Sequence, residues 1–269
     1  MPTKPKLGQN FLQDQHAIQR IVAALGNCSS KTVVEIGPGR GAVTRVLAAH
    51  AAHVLAIELD PTLIADLRAE FPADRFTVAH QDVLDFDFAA ASAQAGHRLA
   101  VVGNLPYYIT SPILLKLAAS HAALDRAVLM MQREVADRVA AEPGSRDYGL
   151  LSVTVQLHGP VERLFTLPPG AFSPPPQVHS AVVRWRFAPR FASLGIDDES
   201  GFQKLLRQVF AQKRKTLANN LRAAGLLPAD IARALAGIGF DPLVRAEALS
   251  IEALAALWKS LAACPRSLP

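Results

Sequence analysis

The stretch Val33-Val34-Glu35-Ile36-Gly37-Pro38-Gly39-Arg40-Gly41 decides the fold of this 269-residue chain. Its first four residues are rich in β-branched side chains, as in a short buried strand. The glycines at alternate positions then allow a sharp turn, and they let a ligand approach the backbone without Cβ clashes. The run from Ala42 to Ala49 has helical composition. The segment therefore predicts a strand, a glycine loop and a helix whose N-terminus offers free N–H groups.

The same alternation of strand and helix signals continues through the first two thirds of the chain. Asp60-Pro61 is a typical helix start, because aspartate caps a helix N-terminus and proline fits its first position. A further helix is predicted from about Glu134 to Ala141. This rhythm indicates a parallel sheet covered by helices on both faces. The predicted strands are Val33–Ile36, Val54–Ile57, Phe76–Val78, Leu99–Val102 and Ala127–Met130.

The pattern of the chain changes after about residue 150. Leu151–Leu157 and Ala181–Phe187 alternate like strands, with no long helix between them. Such a hairpin-like pair at the end of a parallel sheet predicts a mixed sheet. Pro189–Ser200 resembles a linker, and from Gly201 onward the pattern is helical. We therefore predict two domains, residues 1–190 and residues 191–269, of which the second is small and all-α.

The composition excludes several classes of protein. Hydrophobic residues make up 50% of the chain and charged residues 19%, which is unlike a disordered chain. Cys28 and Cys264 are too few for a disulfide scaffold and lack the spacing of zinc ligands. The sequence shows no signal-peptide pattern and no apolar stretch long enough to span a bilayer. We expect a cytoplasmic protein with no metal and no membrane partner.

The charge of the chain is uneven. The formal net charge is +5, and residues 191–269 hold 10 basic and 7 acidic residues against 18 and 16 in residues 1–190. Between Ser200 and Ala229 there are six basic residues and no acidic one, which predicts a surface that contacts RNA phosphates; the alternative is a solvated helix face. Arg184 and Arg186 alternate on one strand face and extend this prediction. The six basic residues are Lys204, Arg207, Lys213, Arg214, Lys215 and Arg222.

An acidic residue follows the second predicted strand, 21 residues after Gly37. This residue, Glu58, can accept hydrogen bonds from ribose hydroxyls, so the ligand contains an adenosine. A nicotinamide site is one alternative, because the glycine loop also fits G-x-G-x-x-A. Two residues argue against it. Glu35 suits a ligand with a positively charged amino-acid end, and Asp82 can accept a hydrogen bond from an adenine amine. Together these residues resemble the S-adenosylmethionine site of class I methyltransferases.

The motif Asn104-Leu105-Pro106-Tyr107 follows the fourth predicted strand, at the edge where open α/β sheets bind ligands. An exocyclic base amine is a poor nucleophile, because its lone pair is delocalised into the ring. Two acceptors on its N–H groups can aim that lone pair, and the amide oxygen of Asn104 and the carbonyl of Leu105 suit this role because Pro106 fixes the local geometry. Tyr107 can stack on the base. Phe172 is the candidate for the opposite face, with a hydrophobic loop anchor as the alternative.

Five motifs occur in an order that resembles one family, the ribosomal small-subunit RNA adenine dimethyltransferases. The resemblance runs from about Lys6 to about Leu257. It implies a Rossmann-like α/β methyltransferase with a mixed, mainly parallel seven-stranded sheet and a small helical C-terminal domain. It also implies transfer of methyl groups to two adjacent adenosines in the 3′-terminal hairpin loop of 16S rRNA, two per base. The motifs are Gly8–Leu12, Val34–Gly39, Asn104–Tyr107, Phe172–Pro176 and Lys213–Leu217.

The resemblance also implies a role for each matching residue. The segment from Gln9 to Leu12 is expected to lie over the methionine end of the donor, and Tyr107 and Phe172 to flank the target adenine. Tyr108 departs from the asparagine that many members carry, which leaves both proposed amine acceptors unchanged. The donor-contacting residues implied are Asn10, Leu12, Gly37, Glu58, Asp82 and Asn104, and the residues themselves add Glu35 and Gly39.

Three alternative functions remain at this stage. One is a 23S rRNA adenine methyltransferase, which shares the fold and the donor site. Another is a non-catalytic ribosome-assembly factor that keeps the donor site only to recognise RNA, and the third is a nicotinamide oxidoreductase. The proline-rich loop and the segment Lys213–Thr216 favour the small-subunit enzyme. We expect a monomer that uses S-adenosylmethionine, releases S-adenosylhomocysteine and acts on 16S rRNA in the assembling small subunit.

Overall fold

The computed structural model describes residues 10–262, which divide into two compact units. The sheet unit holds the residues up to Asp137 and the segment Gly159–Ala188. The helical unit holds the segment Arg138–His158 and the residues from Pro189 onward. The longer segment of the helical unit begins at Pro189, the first residue of the segment that resembles a linker in the sequence. The helical unit also takes in residues 138–158, which the sequence pattern assigned to the first domain.

A seven-stranded sheet forms the centre of the sheet unit, with the strand order β4-β3-β2-β5-β6-β9-β7. The strands from β2 to β6 are parallel, whereas β9 is antiparallel to β6 and β7 is antiparallel to β9. The predicted mixed, mainly parallel sheet is confirmed. The strands are β1 (Phe11–Leu12), β2 (Cys28–Ile36), β3 (Ala51–Glu58), β4 (Phe76–His80), β5 (Leu99–Asn104), β6 (Leu124–Gln132), β7 (Val161–Leu167), β8 (Phe172–Ser173) and β9 (Ser180–Arg186).

Helices connect the parallel strands and make up the second unit. Two helices begin at Ala42 and at Pro61, as the sequence predicts. The Asp60 side chain caps the second of these by accepting a hydrogen bond from the Thr62 N–H. The helices are α1 (Gln15–Ala24), α2 (Ala42–His50), α3 (Pro61–Glu70), α4 (Phe88–Ala95), α5 (Thr110–Ala119), α6 (Arg133–Val139), α7 (Leu150–Leu157), α8 (Glu199–Val209), α9 (Leu217–Ala223), α10 (Pro228–Gly237) and α11 (Ile251–Ala262).

The segment predicted as a strand from Leu151 to Leu157 is helix α7, so that prediction is wrong. Its alternating pattern is also compatible with a helix, because Val153 and Leu157 are four residues apart and both are fully buried in the core of the helical unit. The Ser152 hydroxyl accepts from the Gly149 N–H and donates to the Arg138 carbonyl, which fixes the first turn. The partner of β9 at the sheet edge is instead β7, which the sequence pattern did not predict.

Strands β3 and β4 lie on one side of β2 in the sheet, and β5 and β6, which come later in the chain, lie on its other side. Strands β2 and β5 are therefore neighbours, with Ile36 opposite Gly103. Their carboxyl ends diverge into loops on opposite sides, which opens a crevice at this point of the sheet. The fold thus places the glycine loop and the motif beginning at Asn104 side by side.

Candidate active site

A cleft of about 890 Å³, part of it open to solvent, lies at the carboxyl edge of the sheet. It lies where β2 and β5 diverge, as the glycine loop predicts. The strand ends of β3, β4 and β5 each contribute a polar side chain to its wall. Nine of the residues singled out from the sequence line it: Asn10, Gly37, Gly39, Glu58, Asp82, Asn104, Leu105, Pro106 and Tyr107.

The floor of the cleft is the glycine loop, which requires glycine for two reasons. Gly37 and Gly39 have φ angles of 65° and 57°, a left-handed conformation that side chains with a Cβ rarely adopt. A Cβ at Gly39 would also lie 2.9 Å from the ring of Phe11. The Phe11 ring is held from another side by the Arg40 guanidinium, 4.7 Å from the ring centroid. The N-terminal segment is thus packed on the glycine loop.

The carboxylate of Glu58 lies at the end of β3 and is almost fully buried. One of its oxygens accepts hydrogen bonds from the N–H groups of Leu59 (2.8 Å) and Asp60 (3.0 Å), which fixes the side chain. The other accepts a long bond of 3.3 Å from the Gly39 N–H. This oxygen is directed toward the glycine loop, and a ribose placed there has a carboxylate acceptor within reach.

Asp82 forms the opposite wall of the cleft, two residues beyond the end of β4. Its Oδ1 accepts a hydrogen bond of 2.9 Å from the Leu84 N–H. That bond holds the carboxylate at the cleft wall, where its second oxygen can accept from an amine. Glu58 and Asp82 therefore present two carboxylate acceptors in the wall of the cleft.

Glu35 and Leu12 lie outside the cleft, in the wall of an adjoining cavity that shares the glycine loop and Asn104. The Glu35 carboxylate is buried and accepts a hydrogen bond of 2.7 Å from the Thr44 hydroxyl. Burial raises the pKa of Glu35 to about 7, against the opposing effect of the Thr44 hydrogen bond and with a further contribution from the charge of Glu58. Glu35 therefore lies behind the loop rather than on the cleft surface.

The orientation of the Asn104 side chain is fixed by the N-terminal segment. The Asn104 Nδ2 donates a hydrogen bond of 2.8 Å to the backbone carbonyl of Asn10. A carbonyl oxygen only accepts, so the group that faces it must be the NH₂ of the amide. The amide oxygen of Asn104 therefore keeps its acceptor capacity in the cleft wall. This hydrogen bond joins Asn10, which the family resemblance places at the donor, to Asn104, which we expect to orient the amine.

The residues after Asn104 form a tightly held turn. The Leu105 N–H donates to the Met130 carbonyl at 2.8 Å, and its side chain is buried. The Pro106 carbonyl accepts from the Ile109 N–H at 3.2 Å and from the Thr110 hydroxyl at 3.0 Å. These bonds keep the backbone after the strand in one conformation. A group that positions a substrate must be held fixed in this way.

The Tyr107 side chain is half-buried, and its hydroxyl forms a hydrogen bond of 2.7 Å with the Ser180 hydroxyl at the start of β9. Burial raises the pKa of Tyr107, so the phenol stays neutral near neutral pH. The tether fixes the ring from its far end. Tyr107 is thus a fixed wall of the cleft.

Phe172 is not where the prediction put it. Its side chain is only 4% exposed, packed in the core of the sheet unit, and its backbone in β8 pairs with Leu12 in β1. Among the described residues, neither cavity wall includes it. The ring therefore anchors the loop, because it gains more from burial than the cleft surface offers. Gln9, the remaining predicted donor residue, lies outside the described residues.

Arg184 and Arg186 are far from the cleft. Strand β9 runs antiparallel to β6, with Ser180 opposite Gln132 at the carboxyl edge and Arg186 opposite Arg126 toward the other end. At about 3.3 Å per residue, the six steps from Ser180 to Arg186 span about 20 Å. Arg184 is also engaged in an ion pair with Glu162. The structure thus separates both arginines from the residues around Asn104.

The six basic residues predicted to contact RNA all lie in the helical unit and are all exposed. Lys204 and Arg207 lie on α8 and Arg222 on α9, while the other three form the turn between these helices. Lys213 donates to the Arg146 carbonyl, which leaves its charge uncompensated. Within residues 10–262 none of the six has an acidic partner within ion-pair distance, so this surface is positively charged.

Sequence reasoning missed three residues that hold the site together. Phe11 packs on Gly39, Thr44 donates to Glu35, and Ser180 tethers Tyr107. Phe11 lies within the motif from Gly8 to Leu12 and was available from the resemblance. Thr44 and Ser180 carry no signal in the sequence, because their roles arise only from contacts between elements that the fold brings together. Among the described residues, no cluster of metal-ligating side chains is present, and no helix is long and apolar enough to cross a membrane.

The fold and the cleft together define a Rossmann-like, S-adenosylmethionine-dependent methyltransferase. The particular kind follows from comparison with known proteins. Residues 2–263 match the family described as ribosomal RNA adenine dimethylase, and the chain belongs to this family.

Relatives and solved structures agree with this family. The chain is 60% identical over 259 residues to the ribosomal RNA small subunit methyltransferase A of Acidobacterium capsulatum, covering 96% of this chain and 91% of the relative. It is 48% identical over 270 residues to the protein of the same name from Koribacter versatilis, covering 96% and 94%. A dimethyladenosine transferase from Plasmodium falciparum shares the fold, with a TM-score of 0.78 and 24% identity over 94% and 98% of the two chains. The 23S rRNA methyltransferase ErmE is 25% identical with a TM-score of 0.69, over 94% of this chain and 100% of that one.

Proposed function

We propose that this enzyme methylates the N6 amines of two adjacent adenosines in the 3′-terminal hairpin loop of 16S rRNA, two methyl groups per base. It acts as a monomer in the cytoplasm, on the assembling small ribosomal subunit. The observation that carries the proposal is the Asn104 amide, whose NH₂ is held by the Asn10 carbonyl so that its oxygen is available to an amine. The names of the relatives at 60% and 48% identity support the small subunit as the target.

The residues of the cleft fit S-adenosylmethionine. Gly37 leaves the loop backbone open to a ligand, since a Cβ there would have no neighbour closer than 3.9 Å, whereas the space beside Gly39 is filled by the Phe11 ring. Glu58 would hold the ribose hydroxyls, and Asp82 the adenine amine. Asn10 would contact the methionine end together with Gln9, whereas Leu12 is left out of the proposal, because its side chain is buried and lies in the adjoining cavity. When bound, this donor supplies a methyl group on a sulfonium, which is already a good leaving group.

Asn104 and Leu105 would orient the acceptor amine. The amide oxygen of one and the backbone carbonyl of the other accept the two N–H groups, which directs the nitrogen lone pair out of the plane of the base. The nitrogen becomes positively charged as it takes the methyl group, so its proton turns acidic and passes to solvent water without a strong base. Catalysis then rests on positioning and on electrostatics, for which well-oriented groups are worth up to about 7–11 kcal/mol.

Tyr107 would support the flipped adenine by stacking. A base within a stack is out of reach of the cleft, so the target must lie in a loop or be flipped out. The tether to Ser180 holds the ring in place before the base arrives, which lowers the entropy cost of binding. Phe172 has no part in this proposal, because it is buried.

The helical unit would bind the rRNA backbone. Its six exposed basic residues have no acidic neighbour in the sequence between Ser200 and Ala229. If all six contact phosphates of single-stranded RNA, log K falls against log salt with a slope of about −4. Arg184 is left out because it is ion-paired with Glu162, and Arg186 is left out because it lies toward the far edge of the sheet.

The test is methylation of isolated ribosomal subunits that lack the modification. The purified enzyme is incubated with tritiated donor and, separately, with small and large subunits. We expect label in 16S rRNA and none in 23S rRNA, and labelling by the Asn104→Ala variant at least about 100-fold slower. Label only in 23S rRNA would support the alternative that ErmE represents, and donor binding without any label would support a non-catalytic assembly factor.

A further inference from the structure

Two of the residues that line the cleft are exposed and so form its rim. They are Leu59 and Tyr108, with exposed fractions of 45% and 63%. Leu59 directly follows Glu58, at the ribose end of the cleft. Tyr108 directly follows Tyr107, at the end where Asn104 and Leu105 orient the amine. An aromatic ring therefore lies exposed on the acceptor side of the cleft mouth.

The other aromatic rings in the sequence motifs of the sheet unit are already packed or hydrogen-bonded within the protein. The Phe172 ring is buried in the core, and the Phe11 ring is packed between Gly39 and the Arg40 guanidinium. The Tyr107 hydroxyl is tethered to Ser180, so this ring has a fixed position. Of the aromatic side chains that line the cleft in the described chain, Tyr108 is the one that is mostly exposed.

The backbone that carries Tyr108 is rigid. The turn from Tyr107 to Ile109 is closed by the Ile109 N–H and the Thr110 hydroxyl, which both donate to the Pro106 carbonyl. Thr110 itself is buried at the start of α5. An exposed ring on a rigid turn loses little freedom on binding, which is what a stacking platform requires.

We propose that Tyr108 is a positioning residue that stacks on a base of the substrate RNA at the mouth of the cleft. This inference rests on the proposed function and adds a second aromatic contact to that of Tyr107. The RNA is favoured over the donor for two reasons. Tyr108 is on the amine side of the cleft rather than the ribose side, and its exposure suits a ligand that enters from solvent.

The experiment compares kcat and KM of the full-length enzyme on small subunits for three variants, Tyr108→Ala, Tyr108→Leu and Tyr108→Phe. Because the alanine and leucine variants lose the stacking of one base on an aromatic ring, we expect their kcat/KM for the subunits to be about tenfold lower. The phenylalanine variant retains the wild-type value, because it keeps the ring. Affinity for S-adenosylhomocysteine, measured by calorimetry, stays unchanged in all three. Leu115→Ala is the matched control, since Leu115 is a 45% exposed side chain on α5 outside the cleft wall.

Several results overturn the inference. Wild-type kcat/KM in Tyr108→Ala would mean that the ring is an idle surface side chain. A wild-type kcat/KM in Tyr108→Leu would mean that a large apolar side chain is sufficient at this position and that stacking on a ring is not required. A parallel loss of affinity for S-adenosylhomocysteine would assign the ring to the donor. If the wild-type enzyme does not label small subunits at all, the proposed function fails, and that result is read from the wild-type arm alone.

Discussion

Glu35→Gln tests the electrostatics of the buried carboxylate behind the glycine loop. The folded-state pKa of Glu35 is raised to about 7 from an ordinary value of 4.5, mainly because burial disfavours the charged form. Between these pH values the folded protein binds more protons than the unfolded chain. Stability therefore falls as the pH rises through this window, and the full cost of the buried charge is present above about pH 7.

The size of the effect follows from the pKa difference. At 1.36 kcal/mol per unit, a shift from 4.5 to about 7 corresponds to about 3 kcal/mol. A glutamine is neutral at every pH, and its amide oxygen can still accept the hydrogen bond of the Thr44 hydroxyl. The NH₂ group of the glutamine adds a cost that does not change with pH. The stability difference between variant and wild type therefore changes with pH only through the ionisation of the Glu35 carboxylate.

The assay is thermal unfolding of both proteins at pH 5 and pH 8. The variant is expected to gain stability relative to wild type by about 2.5 kcal/mol over this range, because part of the cost is already present at pH 5, and this corresponds to about 5 to 10 °C in Tm. Glu70→Gln is the control, because Glu70 is an exposed partner of Arg45 and such ion pairs contribute at most about 1 kcal/mol. A Tm difference between Glu35→Gln and wild type that is the same at both pH values would refute the reasoning.

Three further predictions concern the proposed chemistry. Asn104→Ala removes the amine acceptor and is expected to lower kcat on small subunits by about 10²- to 10³-fold, with donor affinity retained in calorimetry; full activity would rule out the orienting role. Glu58→Ala removes a charged acceptor from the ribose and is expected to weaken donor affinity at least about tenfold, so unchanged affinity would refute that assignment. Reversal of charge at Lys213, Arg214 and Lys215 is expected to weaken RNA binding and to flatten its salt slope by about 2. An unchanged slope would mean that these three side chains face solvent in the complex.

The sequence predicted the part of the fold that local patterns specify. The strands around Val34, Ile57 and Val101 are buried and apolar, and glycine or acidic residues mark their ends, so both the sheet and the site at its edge could be anticipated. Leu150–Leu157 could not, because its alternation suits either periodicity and only packing in the helical unit decides between them. The pairing of β7 with β9 is likewise a non-local contact.

The candidate site divides in the same way. Residues at the carboxyl end of a strand or just after it, such as Glu58, Asn104 and Gly37, line the predicted cleft, because parallel strands end at one edge. Phe172 was misplaced, because a motif does not state whether its aromatic residue packs inward or lines a cleft. The exposure of Tyr108 also became visible only with the fold, since neighbouring tyrosines look alike in sequence.

The central claim is that the enzyme dimethylates adjacent adenosines of 16S rRNA, and the position of the methyl groups tests it most directly. Small subunits that lack the modification are treated with the enzyme and donor, and their rRNA is digested and analysed by mass spectrometry. The account predicts N6,N6-dimethyladenosine at two adjacent positions in the 3′-terminal hairpin loop, and formation of this product at least about 100-fold slower with Asn104→Ala. Methyl groups on any other base, or the same product formed at the wild-type rate by the Asn104→Ala variant, would contradict it.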